Sequence, residues 1–286
     1  LKKIFSSRFF LRALHHLHST QVLEAVFPVV ASFPSTPASS FSLMNLWEHT
    51  LASLEALEKI LAHPEEHFER FGEKVAVYVK ETCPVWVLRL ALLLHDAGKP
   101  VTMEKRADGI TYYGHDVAGA EIAKNILETY RFSGEEVEWV KTLISGHLRV
   151  GFLSEQYPIS ARAIYRFYKD YGEKGIALLI LAHADISGYH LLPEEHQWGK
   201  NQKETIRELL SAYYEKAGLV VKPRRLLSGN DLKQLGIPPG PIYAILLDRV
   251  TEAQVEGSVS TREEAILFVR QYLQSLSGED YVAERP

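Results

Sequence analysis

Residues 88 to 100 read LRLALLLHDAGKP, an apolar run that ends on a histidine and a carboxylate before turning through Gly98 and Lys99 into Pro100. A helix without a polar face belongs in an interior, so this one carries His95 and Asp96 inward with it. An isolated buried carboxylate costs several kcal/mol unless it is paired or bound to a cation. The fold is therefore constrained from the start: other segments must bring partners to this pair.

With a helix over 84–96, His95 shares a face with Ala91 and Leu92. His49, in NLWEHTLASL, lies one turn after Leu46 beside another apolar stripe. Asp185 closes IALLILAHADISG, four residues after Leu181 and seven after Leu178. Two imidazoles and two carboxylates thus point inward from three helices, a set that suits a divalent ion with positions left open for water. Nitrogen and oxygen ligation without thiolate favours Mn, Fe, Co, Ni or Mg over four-coordinate zinc. His115 in YYGHDVAGA and His147 in LISGHLRV each follow a glycine at a helix edge. If both join the site, six ligands hold two ions with Asp96 bridging them. The remaining histidines, His15, His16, His18, His63, His67, His190 and His196, read as ordinary surface, loop or hydrogen-bonded groups. His183 falls two residues off the stripe of Leu178, Leu181 and Asp185 and is left outside the site.

Helical patterns succeed one another at 43–62, 66–82, 84–96, 115–130, 133–146, 160–170, 172–187 and 201–217, so the chain reads as all-α. One interruption, TMEKRADGITYYG, sets Asp108-Gly109 between β-formers and predicts a small hairpin at 101–113. Residues 1–27 have helical spacing, and FPVVASFPSTPASSFS reads as a connecting loop, giving a segment 1–42 ahead of a helical domain at 43–217. A third piece, 218–286, follows: Ser228 or Asn230 caps a short helix, PPGP at 238–241 starts another, and STREEA opens the last with Glu263 or Glu264 placed for a capping box.

The chain has 286 residues, 46% of them apolar, enough for sizeable cores. A net charge of −4 argues against a wholesale polyanion binder, although the KPRR run with Lys222, Arg224 and Arg225 is a local candidate for an RNA backbone contact. Arg89 and Asp96 interrupt the best candidate for a membrane span, so no membrane partner is expected. The lone Cys83 excludes an internal disulfide and fits a reducing cytoplasm. The first 23 residues read as an exposed basic helix, and a leucine at position 1 suggests a start inside a longer chain.

His49, His95-Asp96 and Asp185 resemble the H…HD…D signature of the HD superfamily of metal-dependent phosphohydrolases. LLHDAGKPVT, the hairpin and YYGHDVAGAEIAKNIL resemble the HD domain attached to bacterial tRNA nucleotidyltransferases and poly(A) polymerases. LLSGNDLKQLGIPPGPIYAILLDRVTEAQVEGSVSTREEA is similar to their C-terminal helical domain, and VLEAVFPVV to the helix before their HD region. The resemblance implies an HD-domain helical bundle with a small β-hairpin insertion and an additional C-terminal helical domain. It implies hydrolysis of a phosphate ester on a nucleotide or RNA 3′ end, tRNA among them, with one or two ions lowering the pKa of a bound water. Asp96 and Lys99 are then the catalytic pair, Lys99 contacts the phosphate, Arg149 gives a second phosphate contact, and His115 or His147 protonates the leaving oxygen where it does not bind metal. The polymerising head of that family has a glycine-rich strand-turn segment followed by paired aspartates, and no such segment is found here. Three alternatives follow: a stand-alone hydrolase, an RNA-binding body and tail working with a separate polymerase head or subunit, or a catalytically silent helical adaptor.

Overall fold

The computed structural model describes residues 1–40, 42–107, 109–189 and 197–278. Asp108, His190 and His196 lie outside the described residues. The first helices are α1 (Lys2–Phe5), α2 (Phe10–Ser19) and α3 (Val22–Val26), followed by a 3-10 helix over Pro28–Ser35. Then come α4 (Leu46–Ala62), α5 (Pro64–Phe68), α6 (Gly72–Glu81), α7 (Val85–Leu94) and α8 (Lys99–Thr102). A hairpin of β1 (Glu104–Arg106) and β2 (Gly109–Thr111) pairs Glu104 with Thr111 and Arg106 with Gly109. Beyond it run α9 (His115–Thr129), α10 (Gly134–Gly146), α11 (Arg149–Ser154), α12 (Ala161–Tyr171) and α13 (Lys174–Ser187). The last are α14 (Gln197–Glu215), α15 (Gly229–Gln234), α16 (Ile242–Val255) and α17 (Arg262–Gly278). The all-α expectation holds, with the hairpin as its small β insertion.

The chain divides into two compact units, residues 1–158 with 171–210, and residues 159–170 with 211–286. This differs from a linear division at 42/43 and 217/218. In the first unit α7 and α13 are the central helices, buried on nearly every face from Val87 to Leu94 and from Gly175 to Ala184. Each fully buried Leu or Ile contributes about 1.5–3 kcal/mol, which is why these two uninterrupted apolar runs organise the core. α4 packs against both, and α10 joins α7, α13 and α9. Arg89 lies inside this core without being stranded there. It donates twice to Glu58 at 2.7 Å, and to the carbonyls of Phe5 and Ser7 at 2.6 and 3.0 Å, tying the N-terminal segment to α7 and α4.

In the second unit Leu227, Leu232, Leu246, Val250, Val259 and Val269 form the core. Arg166 of α12 donates to Glu252 at 2.5 Å and Lys169 to Asp248 at 2.7 Å. Those pairs explain why α12 belongs with α16. Ser228 supplies the cap of α15, closing a box with Asp231, and Thr261 with Glu264 does the same before α17.

Several local expectations are corrected. Residues 101–102 end a helical turn, so the hairpin is shorter than 101–113. The proline-rich connection is partly the 3-10 helix, which buries Val30 and Phe33. The pattern over 66–82 is broken at Glu69, which adopts φ 51°, a left-handed backbone that no α-helix continues through.

Two glycines set the crossings that matter for function. A Cβ on Gly98 would lie 2.1 Å from the carbonyl oxygen of His115 and 2.7 Å from the nitrogen of Gly119, so the turn after α7 is pressed onto α9. A Cβ on Gly188 would meet Ser53 Oγ at 2.2 Å, where the end of α13 closes on α4. Because the obstacle at Gly98 is backbone, Gly98→Ala is expected to cost about 3 kcal/mol. Urea denaturation checks this as a lowered midpoint at unchanged slope.

Candidate metal centre

α4 carries His49, buried to 0% exposure, and α7 ends on His95 as its C-cap, with Asp96 following. α13 presents Asp185 near its end, α9 begins with His115, and α10 ends on His147. The apolar runs of α7 and α13 bring His95, Asp96 and Asp185 to one end of the core. The glycine contacts then bring in α9 and α4.

At three of the histidines the local backbone fixes the tautomer. Nδ1 of His95, His115 and His147 lies 2.7, 2.7 and 2.6 Å from the carbonyls of Leu92, Tyr112 and Ile144, each three residues earlier. A carbonyl only accepts, so each Nδ1 donates, and Nε2, the atom that carries the lone pair when the ring is neutral, turns toward the interior. His95 Nε2 sits 3.2 Å from Asp96 Oδ2 and 3.3 Å from Asp185 Oδ1, buried with no hydrogen-bond partner. His115 and His147 Nε2 are 3.3 Å apart and 3.2 and 3.6 Å from Asp96 Oδ1. His49 differs: its Nε2 lies 2.8 Å from Asp185 Oδ1 and 3.9 Å from Asp96 Oδ2, while its buried Nδ1 has no partner.

Lone pairs and carboxylate oxygens converging on each other repel unless a cation lies among them. Burial opposes charging His95, but Asp96 and Asp185 outweigh it and push its pKa up to about 10. Burial and, behind it, the charge of His95 lower His147, and burial lowers His49. Burial works to raise Asp96 and Asp185, yet His95 holds both well below the carboxylate range, with Lys99 adding to the effect on Asp96. The residues fit a divalent ion: His49, His95 and Asp96 form one group with ligand atoms within 4.8 Å of one another, and Asp96, His115 and His147 form a second. Asp96 is common to both groups, and Asp185 lies against the first.

Lys99 is buried, donating to Asp96 Oδ2 at 2.6 Å and to the carbonyl of Ala38 at 2.7 Å, so its ammonium is held on the ligand rather than extended to solvent. A cleft of about 630 Å³ opens onto Asp96, His115, His147, Asp185 and Lys99. Its wall at α11 is made by Gly151 and Phe152; Arg149 is not among its described lining residues. Lys222, Arg224 and Arg225 are exposed in the second unit. His183 pairs with His67 instead, at 3.1 Å, and burial first, then His67 and Lys203, lower its pKa to about 4. The sequence reading missed Tyr189, which stacks on His49 at 4.0 Å, and Tyr112, whose ring lies 5.4 Å from the Lys99 ammonium and whose hydroxyl donates to Pro37 O. Neither lies on an apolar stripe; the only signal for Tyr189 is its position four residues after Asp185.

A model of the HD domain matches residues 46–188, half of the chain, and spans all six convergent residues. The chain belongs to the HD-domain family. Its HD domain lies within a longer likeness to a CC-adding tRNA nucleotidyltransferase of Thermus thermophilus, 31% identical over 226 residues, 78% of this chain and 44% of that protein. An A-adding tRNA nucleotidyltransferase of Deinococcus radiodurans is 31% identical over 195 residues, 67% of this chain and 43% of that protein. A CC-adding tRNA nucleotidyltransferase of Synechocystis is 27% identical over 157 residues, 54% of this chain and 34% of that protein. The chain thus spans less than half the length of the relatives it matches. Among the described residues no helix is long and apolar enough to cross a membrane.

If both groups load, elemental analysis after dialysis against Mn will give two ions per chain, one for His147→Ala and none for Asp96→Ala. Mn at about 100 times its dissociation constant is expected to stabilise the wild type by about 2.7 kcal/mol, read as a shifted melting curve.

Proposed function

We propose that this chain is a divalent-metal-dependent phosphohydrolase of the HD type, acting on a nucleotide or an RNA-terminal phosphate as a phosphomonoesterase or phosphodiesterase. The observation that carries the reading is the convergence of the Nε2 atoms of His49, His95, His115 and His147 on the oxygens of Asp96 and Asp185, with Asp96, His115, His147 and Asp185 open to a cleft. His49, His95, Asp96 and Asp185 would hold one ion, and Asp96, His115 and His147 a second. Such an ion, Mn, Ni, Co, Fe or Mg, supplies a water of lowered pKa and positive charge for phosphoryl oxygens. Asp96 faces the rings with both its oxygens, while the bonds from Nδ1 to Leu92, Tyr112 and Ile144 orient three of them. Lys99 keeps that carboxylate in place and offers its remaining N–H to a phosphoryl oxygen in the cleft. If the second group stays empty, His115 or His147, after Nε2 takes up a proton from the attacking water, would pass that proton to the leaving oxygen.

A second reading is favoured by the names of the relatives and by the fraction of them that this chain spans. In it the chain is the tRNA-binding body and tail of a nucleotidyltransferase-related protein, with polymerisation on a separate head and with Lys222, Arg224 and Arg225 contacting RNA. A cytoplasmic location suits either.

Assays with each metal on phosphate mono- and diesters are expected to show turnover that falls at least ~10³-fold in Asp96→Ala. Circular dichroism will show the variant folded. A wild type that binds metal and tRNA but hydrolyses no ester would support the second reading. In that case replacing Lys222, Arg224 and Arg225 together by Ala is expected to reduce the salt slope of tRNA binding by about 2–3.

A further inference from the structure

The cleft above the candidate metal centre is chemically divided, and the division says what its ligand looks like. Its floor is ionic, made by Asp96, His115, His147, Asp185 and Lys99. Its mouth is aromatic. Tyr113, in the turn before α9, is 73% exposed, and Phe152 of α11 is 53% exposed, yet both line this cleft. Large aromatic rings left this open cost hydration free energy, and no fold requirement accounts for them: Phe152 follows Val150 and precedes Leu153, which bury the other face of α11. Tyr113 is also held in position, because the Arg106 guanidinium stacks on its ring at 5.1 Å. A ring already ordered loses little further freedom when something planar is laid on it.

The charge around the mouth narrows the ligand further. Among the described lining residues Lys99 is the only lysine or arginine, and it is tied to Asp96, whereas Asp116 and Glu155 add acidic groups to the wall. A strand running through the cleft would set successive phosphates beside those carboxylates, with Arg106, which stacks on Tyr113 outside the lining, as the one cation near the mouth among the described residues. A single terminal phosphate directed at the floor meets no such penalty. The volume of about 630 Å³ lies within the usual range for one small molecule.

We propose that Tyr113 and Phe152 form a nucleobase-stacking subsite, and that the cleft takes a free mononucleotide, base at the aromatic mouth and phosphate at the floor, rather than the end of a tRNA. This rests on the phosphohydrolase reading for the role of the floor. The subsite discriminates by planarity: stacking on an aromatic face is tolerant of sequence, so purine and pyrimidine nucleotides both fit.

The test is calorimetric binding to the full chain in Mn, with adenosine 5′-monophosphate, glycerol phosphate and a 3′-phosphorylated tetranucleotide as probes, beside turnover of the first two. The wild type is expected to prefer the mononucleotide over glycerol phosphate by at least about tenfold. Tyr113→Ala and Phe152→Ala should each cut that ratio several-fold, whereas Tyr113→Phe should keep it. The tetranucleotide should bind more weakly than the mononucleotide and gain in Glu155→Gln. Equal affinity for adenosine monophosphate and glycerol phosphate, with both hydrolysed, would overturn the stacking subsite and leave the hydrolase reading standing. A tetranucleotide that binds more tightly than the mononucleotide would overturn the choice of ligand in favour of an RNA end. Binding of the mononucleotide through both rings without turnover of any ester would uphold the subsite and sink the hydrolase reading.

Discussion

Asp96 is the interaction on which the rest depends. It is 2% exposed, and each of its oxygens is used twice: Oδ1 faces His115 and His147, Oδ2 faces His95 and Lys99. A carboxylate has about four lone-pair directions, and this one is faced by groups from α7, α8, α9 and α10, of which Lys99 alone donates a hydrogen bond. Removing it would leave a buried ammonium and several imidazoles facing each other. Its position in the two potential ligand groups means that ions bound in both would share one carboxylate.

The scaffold reaches this arrangement with little specialised structure. A helix leaves its last carbonyls without intrahelical partners, and His95 and His147, as the C-caps of α7 and α10, turn Nδ1 back onto carbonyls of the final turn. The same hydrogen bond satisfies the helix end, fixes the tautomer and aims Nε2 inward. His115 gains the equivalent bond from Tyr112 in the turn before α9. The bare faces of Gly98 and Gly188 let those helix ends approach closely enough for the rings to meet the carboxylates. Structure and site are thus set by the same few backbone positions.

What was legible in the sequence follows from this. The apolar runs ending in His95-Asp96 and in Asp185 have no polar face, so their direction into the core could be read from spacing, whereas the caps could be narrowed only to Ser228 or Asn230 and to a box with Glu263 or Glu264, which the structure resolves to Ser228 and to Thr261 with Glu264. His115 and His147 were visible only as histidines after glycine, because their helix-end role depends on dihedrals rather than periodicity. Lys99 reads as a phosphate contact; its bond to Asp96, three residues back, is local, but its bond to the carbonyl of Ala38 reaches a segment 61 residues away in sequence. No local pattern encodes it. The pairing of His67 with His183 was missed for the same reason: α5 and α13 meet through tertiary packing, and a residue off the apolar stripe is not thereby exposed. The placement of α12 in the second unit, where Arg166 and Lys169 pair with Glu252 and Asp248 of α16, is again beyond any window of local sequence.

The relationship to nucleotidyltransferases does not by itself decide what this centre does, because those names describe proteins more than twice as long as the matched portion, and function resides in sites rather than in folds. The physical argument turns on cost. A helical body needed only for support gains more stability from apolar side chains than from buried imidazoles and carboxylates, since replacing buried charges by well-packed hydrophobes is often neutral or stabilising. A structural ion would remove that cost, but it requires no access from solvent. Here Asp96, His115, His147 and Asp185 line a cleft wide enough for a small molecule, and Asp185 is itself a quarter exposed. Access is the feature that a structural ion leaves unexplained and that chemistry on a bound phosphate requires.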